Sequence, residues 1–223
     1  MNQLLLIFRK EWLNFCRSDR SVFIVYLFLI AGWGMLIATT EGQSAKSAAL
    51  WLVFFSVIIA ANFSSMVFVA ERMTGSLEIL LTSGLSRGAI LYGKVAFVTA
   101  MTLAIGTLCA LVGIFLRPLV GAEHGPALPD GAVISSVVLY IAAAVFNAAS
   151  SACFSVWLPN PRLLHFVNFL ILAAVMSVYT ALSGAFSLPL HAVSVLLFAT
   201  GAVFLALGRR AFESERIAKP VIF

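Results

Sequence analysis

The chain has 223 residues, 62% of them hydrophobic and only 10% charged, with 14 lysines and arginines against 9 acids and a formal net charge of +5. A soluble domain carries about 25% charged residues, so too few charges remain here to cover a water-facing surface. A soluble enzyme or a basic nucleic-acid-binding domain is excluded on that ground, and the net positive charge is read as membrane topology. In chain order, the first element is Met1–Ser18. Helical spacing gathers Leu4, Leu5, Phe8, Trp12, Phe15 and Cys16 on one arc and leaves Lys10, Asn14, Arg17 and Ser18 opposite, with Leu6, Ile7 and Leu13 interrupting the polar side. This pattern predicts a helix lying in the membrane interface, with Trp12 at headgroup depth and its cations toward lipid phosphates. A cleaved signal peptide is not expected, because the apolar segment that follows is about 20 residues, longer than the roughly 7–15 of a signal h-region.

Uncharged apolar runs then follow at Ser21–Thr40, Ser47–Ala70, Val95–Leu116 and Ala132–Leu158, each long enough to cross a bilayer as a helix. Between Arg162 and Arg209 there is no Asp, Glu, Lys or Arg, a stretch too long for one crossing. Breakers at Ser183-Gly184 and Pro189 divide it into spans at Leu163–Leu182 and Leu188–Gly208. Helices are expected throughout, since a helix satisfies its own backbone in lipid and an open strand does not. With both termini in the cytoplasm, six spans put Arg9, Lys10, Arg17, Arg20, Arg72, Arg87, Lys94, Arg162, Arg209, Arg210, Arg216 and Lys219 inside, and only Lys46 and Arg117 outside. That asymmetry is what the positive-inside rule requires. The expected fold is therefore an all-α integral membrane protein, one transmembrane domain over residues 1–223. It has six transmembrane helices over 21–208, an N-terminal interfacial helix, and a cytoplasmic tail over 209–223.

The longest cytoplasmic connection, Glu71–Lys94, joins spans 2 and 3. Thr74 or Gly75 can start a short helix there, with Glu78 opposing the positive end of its dipole. Leu77, Leu80 and Leu81 share one face at i, i+3 and i+4, and Gly84 offers a stop before the chain returns to the membrane over Leu85–Lys94. An apolar face exposed to the cytosol needs a partner to bury it. The order Glu71-Arg72, Gly75-Ser76-Leu77-Glu78, Leu80-Leu81, Ser86-Arg87 and Gly93-Lys94 resembles the coupling helix of the membrane subunits of type-2 ATP-binding-cassette exporters. Arg9-Lys10-Glu11 followed by Arg17, on the first helix that also carries Trp12, resembles the interfacial elbow of that family. The sequence departs from the family at Gly84, where many relatives have proline.

The resemblance implies a permease subunit of the bacterial inner membrane that forms half of a translocation pathway, paired with a second copy or a similar subunit. ATP and magnesium would be bound by a separate ATPase subunit, docked through Arg72, Gly75, Ser76, Leu77, Glu78, Leu80, Leu81 and Arg87. Two other readings stay open: a non-transporting anchor or assembly factor that docks a cytosolic protein, and an ATP-independent secondary transporter or channel.

No catalytic or cofactor site is expected in the chain itself. Gly88–Lys94 matches the spacing of a phosphate-binding loop, but Val95 stands where Ser or Thr would hold magnesium and no strand precedes it. Lys94 reads instead as a boundary residue snorkelling out of the third span. The predicted spans contain no Asp, Glu, Lys or Arg, which speaks against intramembrane acid–base or ion-coupled chemistry. Asn147, Ser150 and Ser151 on the fourth span either pack helices or line a pathway. Cys16, Cys109 and Cys153 have no metal-ligand spacing and read as small packing residues.

Overall fold

The computed structural model describes residues 3–18, 20–39, 45–74, 80, 82–119, 130–158, 160, 162–164, 166–171, 173–174, 177 and 190–213. Among these the chain is helical, without strands. Helix α1 is Gln3–Cys16 and α2 is Arg20–Thr39. Helix α3, Ala45–Ser64, runs on through a π-helical turn, Ser65–Val69, into the short α4, Ala70–Met73. Then come α5 (Arg87–Leu116), α6 (Asp130–Ser155) and α7 (Leu190–Glu213), with further helical residues between 162 and 177.

Among the described residues, four helical stretches are long and apolar enough to cross a membrane: Arg20–Thr39, Arg87–Leu116, Ile134–Ser155 and His191–Phe212. Two shorter apolar helices, Phe54–Val69 and Arg162–Ile171, accompany them. The protein is thus a multi-pass membrane protein. Phe23, Ile24, Val25, Leu27 and Phe28 of α2 are exposed, an apolar surface that lipid tails can cover.

Helix α5 is the hub, touching α1, α2, α3, α6 and α7. It starts at Arg87, eight residues before the apolar run predicted from Val95, because Ser86 caps it. The Ser86 hydroxyl accepts from the Ala89 N–H at 3.2 Å, and the Ser86 carbonyl accepts from the Ile90 N–H at 3.1 Å. The helix crossings rest on small residues, as expected where backbones must approach closely in lipid. A Cβ on Gly34 of α2 would fall 2.9 Å from the Val112 Cβ of α5, and one on Gly113 would fall 2.9 Å from the Ile37 Cβ.

Helices α6 and α7 are in register in the same direction. The Cβ position of Gly201 lies 3.2 Å from the Phe146 Cα, and that of Gly208 lies 3.4 Å from the Cys153 Cα, seven residues further along both helices. The two helices are therefore parallel, around a core that includes Leu139, Ala142, Phe146, Val193 and Leu197.

The larger core joins the other helices. Phe63 of α3 stacks on Tyr26 of α2 at 5.1 Å and meets Phe15 of α1 at 5.5 Å and Phe97 of α5 at 6.1 Å. Phe8 of α1 meets Phe97 at 5.6 Å. Helix α1 is therefore packed on the bundle, and its predicted arc is rotated. Ile7, Glu11 and Phe15 face inward, while Leu5, Trp12, Leu13 and Cys16 face outward. The physical reason is that α1 has two apolar faces, and shape decides between them: Ile7 fits over Gly93, where a Cβ would come within 2.8 Å of it.

Candidate functional site

Beside that crossing lies a cluster of charges in the described core. Glu11 projects from the inner stripe Ile7–Glu11–Phe15 of α1, Glu71 sits two residues beyond the π turn, and Lys94 follows the glycine that lets α1 approach. Lys94 is completely buried, Glu11 is 3% exposed and Glu71 is 7% exposed. The Lys94 ammonium donates to Glu11 Oε1 at 3.1 Å, to the Val67 carbonyl at 2.7 Å and to Glu71 Oε2. Lys10, which is half-buried, donates to Glu11 Oε1 at 3.2 Å and to Glu71 Oε1.

The four residues form a closed ring of alternating charge, Lys10–Glu11–Lys94–Glu71 and back to Lys10. It is neutral as a unit. An ammonium has three donors and no acceptor, and all three donors of Lys94 are matched: two by carboxylates and one by a carbonyl of the π turn. The Phe68 ring, 5.6 Å from Nζ, covers it. Burial pushes the Glu71 carboxyl pKa up. The Lys94 charge, hydrogen bonds from Lys10 and Lys94, and the Lys10 charge more than offset this and hold it below the ordinary 4.5.

This corrects two expectations. Lys94 does not snorkel, because its ammonium is drawn inward by two carboxylates and a carbonyl rather than outward by water. Lys10 and Glu11 belong to the ring and not to a lipid-facing polar surface, whereas Trp12 and Arg17 are exposed.

The connection that the ring closes is described in part. Gly75, Ser76, Leu77, Glu78 and Leu81 lie outside the described residues, as does the side chain of Arg72. Leu80 is only 8% exposed and belongs to the core that includes Ile7, Phe15 and Leu91. It packs into its own chain and is not a free knob. After Leu80 the chain turns out. The Ser83 N–H and hydroxyl both bond the Leu80 carbonyl, at 3.3 and 2.7 Å, and Gly84 adopts φ +76° with open space around it. The predicted stop at Gly84 is there, and glycine suits it for its left-handed backbone rather than for lack of room. Thr82, Ser83, Gly84, Ser86 and Arg87 form an exposed polar turn. Gln3 of α1 ties its far side down, its side-chain oxygen accepting from the Ser86 hydroxyl at 3.0 Å.

Asn147, Ser150 and Ser151 are buried among helices. Asn147 Nδ2 donates to Ser56 Oγ of α3 at 3.0 Å, Ser150 Oγ donates to Asn168 Oδ1 at 3.3 Å, and Asn168 Nδ2 donates to Ser151 Oγ. These bonds fasten α6 to α3 and to the helical residues after 162, the helix-packing reading of the three side chains. Compared with known proteins, the chain matches no family model, and no curated protein sequence matches it.

Proposed function

We propose that the chain is the permease subunit of an ATP-driven exporter of the ATP-binding-cassette class. It would have six spans, both termini in the cytoplasm, and a coupling segment between the second and third spans that docks a separate ATPase subunit. The observation that carries this reading is the architecture around residues 71–94. A connection with the coupling-helix residue pattern is pinned at its base by buried charges and presents an exposed polar turn, Thr82–Arg87, just before α5. A loop that merely joined two spans would need neither.

The parallel arrangement of α6 and α7 supports the six-span count, since the chain between them must return across the thickness of the bundle. Helical residues at 162–177, long-range hydrogen-bonded to α6 through Asn168, lie on that return. In this reading Leu80 is withdrawn from the expected docking face, while Leu77 and Leu81 lie outside the described residues. Leu80 braces the segment from within, and the exposed turn makes the contact. ATP binding and hydrolysis belong to the partner, and a second permease subunit completes the pathway.

The test is crosslinking. In a Cys16→Ser background, Ser83→Cys carrying a short photo-crosslinker should capture an ATPase encoded alongside the gene, and Thr39→Cys, at the other end of α2, should not. Failure of Ser83 to capture any ATPase, or equal capture from both positions, would overturn the reading.

A further inference from the structure

Two of the four ring residues bracket the coupling segment: Glu71 stands where the chain leaves span 2, and Lys94 where it has re-entered the bundle. Their direct ion pair closes residues 72–93 into a loop with a fixed base. The other two, Lys10 and Glu11, are neighbours on α1 bonded to each other; Lys10 also bonds Glu71 on one side of that base, and Glu11 bonds Lys94 on the other. Without such a base, a push on the exposed turn would be taken up by backbone rotations between the end of α4 at Met73 and the start of α5 at Arg87.

Alternating charge makes the ring an all-or-none fastening. Opening either edge at Lys94 leaves a carboxylate and the ammonium short of a partner where Lys94, Glu11 and Glu71 are all buried. Around the ring, Gly93 seats Ile7, Leu80 fills the core below the segment, and Gln3 holds Ser86, so the same three elements are locked at several levels. The cations Lys10 and Lys94 and the acids Glu11 and Glu71 are the charged side chains bonded to one another here, from α1, α4 and α5.

We infer that this ring is a clamp that makes α1, both ends of the coupling segment and the start of α5 move as one rigid body, so that a displacement of the exposed turn is delivered undiminished to two helices. The four residues are positioning residues, acting through the segment they hold. The inference rests on the permease reading for its purpose, but the clamp itself is measurable in the chain alone.

The experiment is a distance measurement between spin labels at Leu13→Cys and Ser83→Cys in the Cys16→Ser chain in nanodiscs, with and without the ATPase and ATP. Wild type should give one narrow distribution, unchanged by nucleotide. The charge-balanced pair Lys94→Met/Glu71→Gln, which leaves Lys10 with Glu11, should widen it about twofold and lower the membrane-dependent stimulation of ATPase activity while capturing as much ATPase as wild type. Glu11→Gln, a milder change of nearly the same shape, should give an intermediate width if the paired variant does not fold. A wild-type distance that shifts with ATP, or variants as narrow as wild type, would overturn the clamp. Absence of any ATPase capture by wild type would overturn the permease reading, and the width in the chain alone would still decide the clamp.

Discussion

Lys94 is an ammonium held wholly out of solvent, and its energetics follow from who surrounds it. Removing one partner of a buried ion pair costs roughly 3–5 kcal/mol because the other charge is stranded, whereas removing both is often close to neutral. Lys94→Met should therefore destabilise the purified protein strongly, leaving Glu11 and Glu71 to share Lys10. Adding Glu71→Gln to it should restore part of the loss, because Lys10 and Glu11 then remain as a balanced pair. Thermal unfolding of the two variants in one detergent checks this, and a double variant weaker than the single would refute the ring. The pH dependence has a definite sign. The folded-state pKa of Glu71 is lowered, so its contribution to stability is fully present above the unfolded value near 4.5 and is lost as pH falls through the lower folded value. A melting temperature that drops below about pH 4.5 in wild type should do so less steeply in Glu71→Gln.

At the scale of elements, the two glycines Gly93 and Gly32 should respond in opposite ways. Gly93 carries α1, and a side chain there would press on the Ile7 side chain and lie 3.3 Å from the Leu4 carbonyl. Gly93→Val should peel α1 away, and accessibility of Phe15→Cys to a thiol reagent should rise sharply. Gly32 has nothing within 4 Å of its Cβ position, so Gly32→Ala should be tolerated, with at most about 1 kcal/mol of gain from helix propensity. The membrane-length helices and the stop at Gly84 were legible in the residues themselves, because hydropathy and helix stops are local. The ring was not. Its bonds join positions 23, 61 and 83 residues apart, and a lysine next to an apolar run has a ready local explanation in snorkelling. A usable signal was Glu11 itself, an acid at i+4 from Ile7 and i−4 from Phe15, in the middle of an apolar stripe. Periodicity could not choose between the two apolar faces of α1, since only the glycine opposite Ile7 distinguishes them.

At the scale of the whole molecule, direction is the property that packing fixes and hydropathy does not. Because Gly201 meets Phe146 and Gly208 meets Cys153, α6 and α7 start on the same side, and their starting and finishing ends must face opposite compartments. In the proposed six-span arrangement, residues just after α6 and just before α7 therefore belong on opposite sides, with a crossing between them. Asn160 and His191 are both exposed and stand at those two places. In the six-span arrangement Ser83 and Asn160 share the cytoplasm, while Thr39 and His191 face out. Buried Cys109 and Cys153 should be silent toward impermeant maleimides, and Cys16→Ser removes the exposed native thiol. In intact cells the Thr39→Cys and His191→Cys chains should label, and the Ser83→Cys and Asn160→Cys chains should label only after permeabilisation. Labelling of Asn160→Cys and His191→Cys from one side would remove the fifth span. The later helices would then have to run antiparallel, against the register of their own glycines.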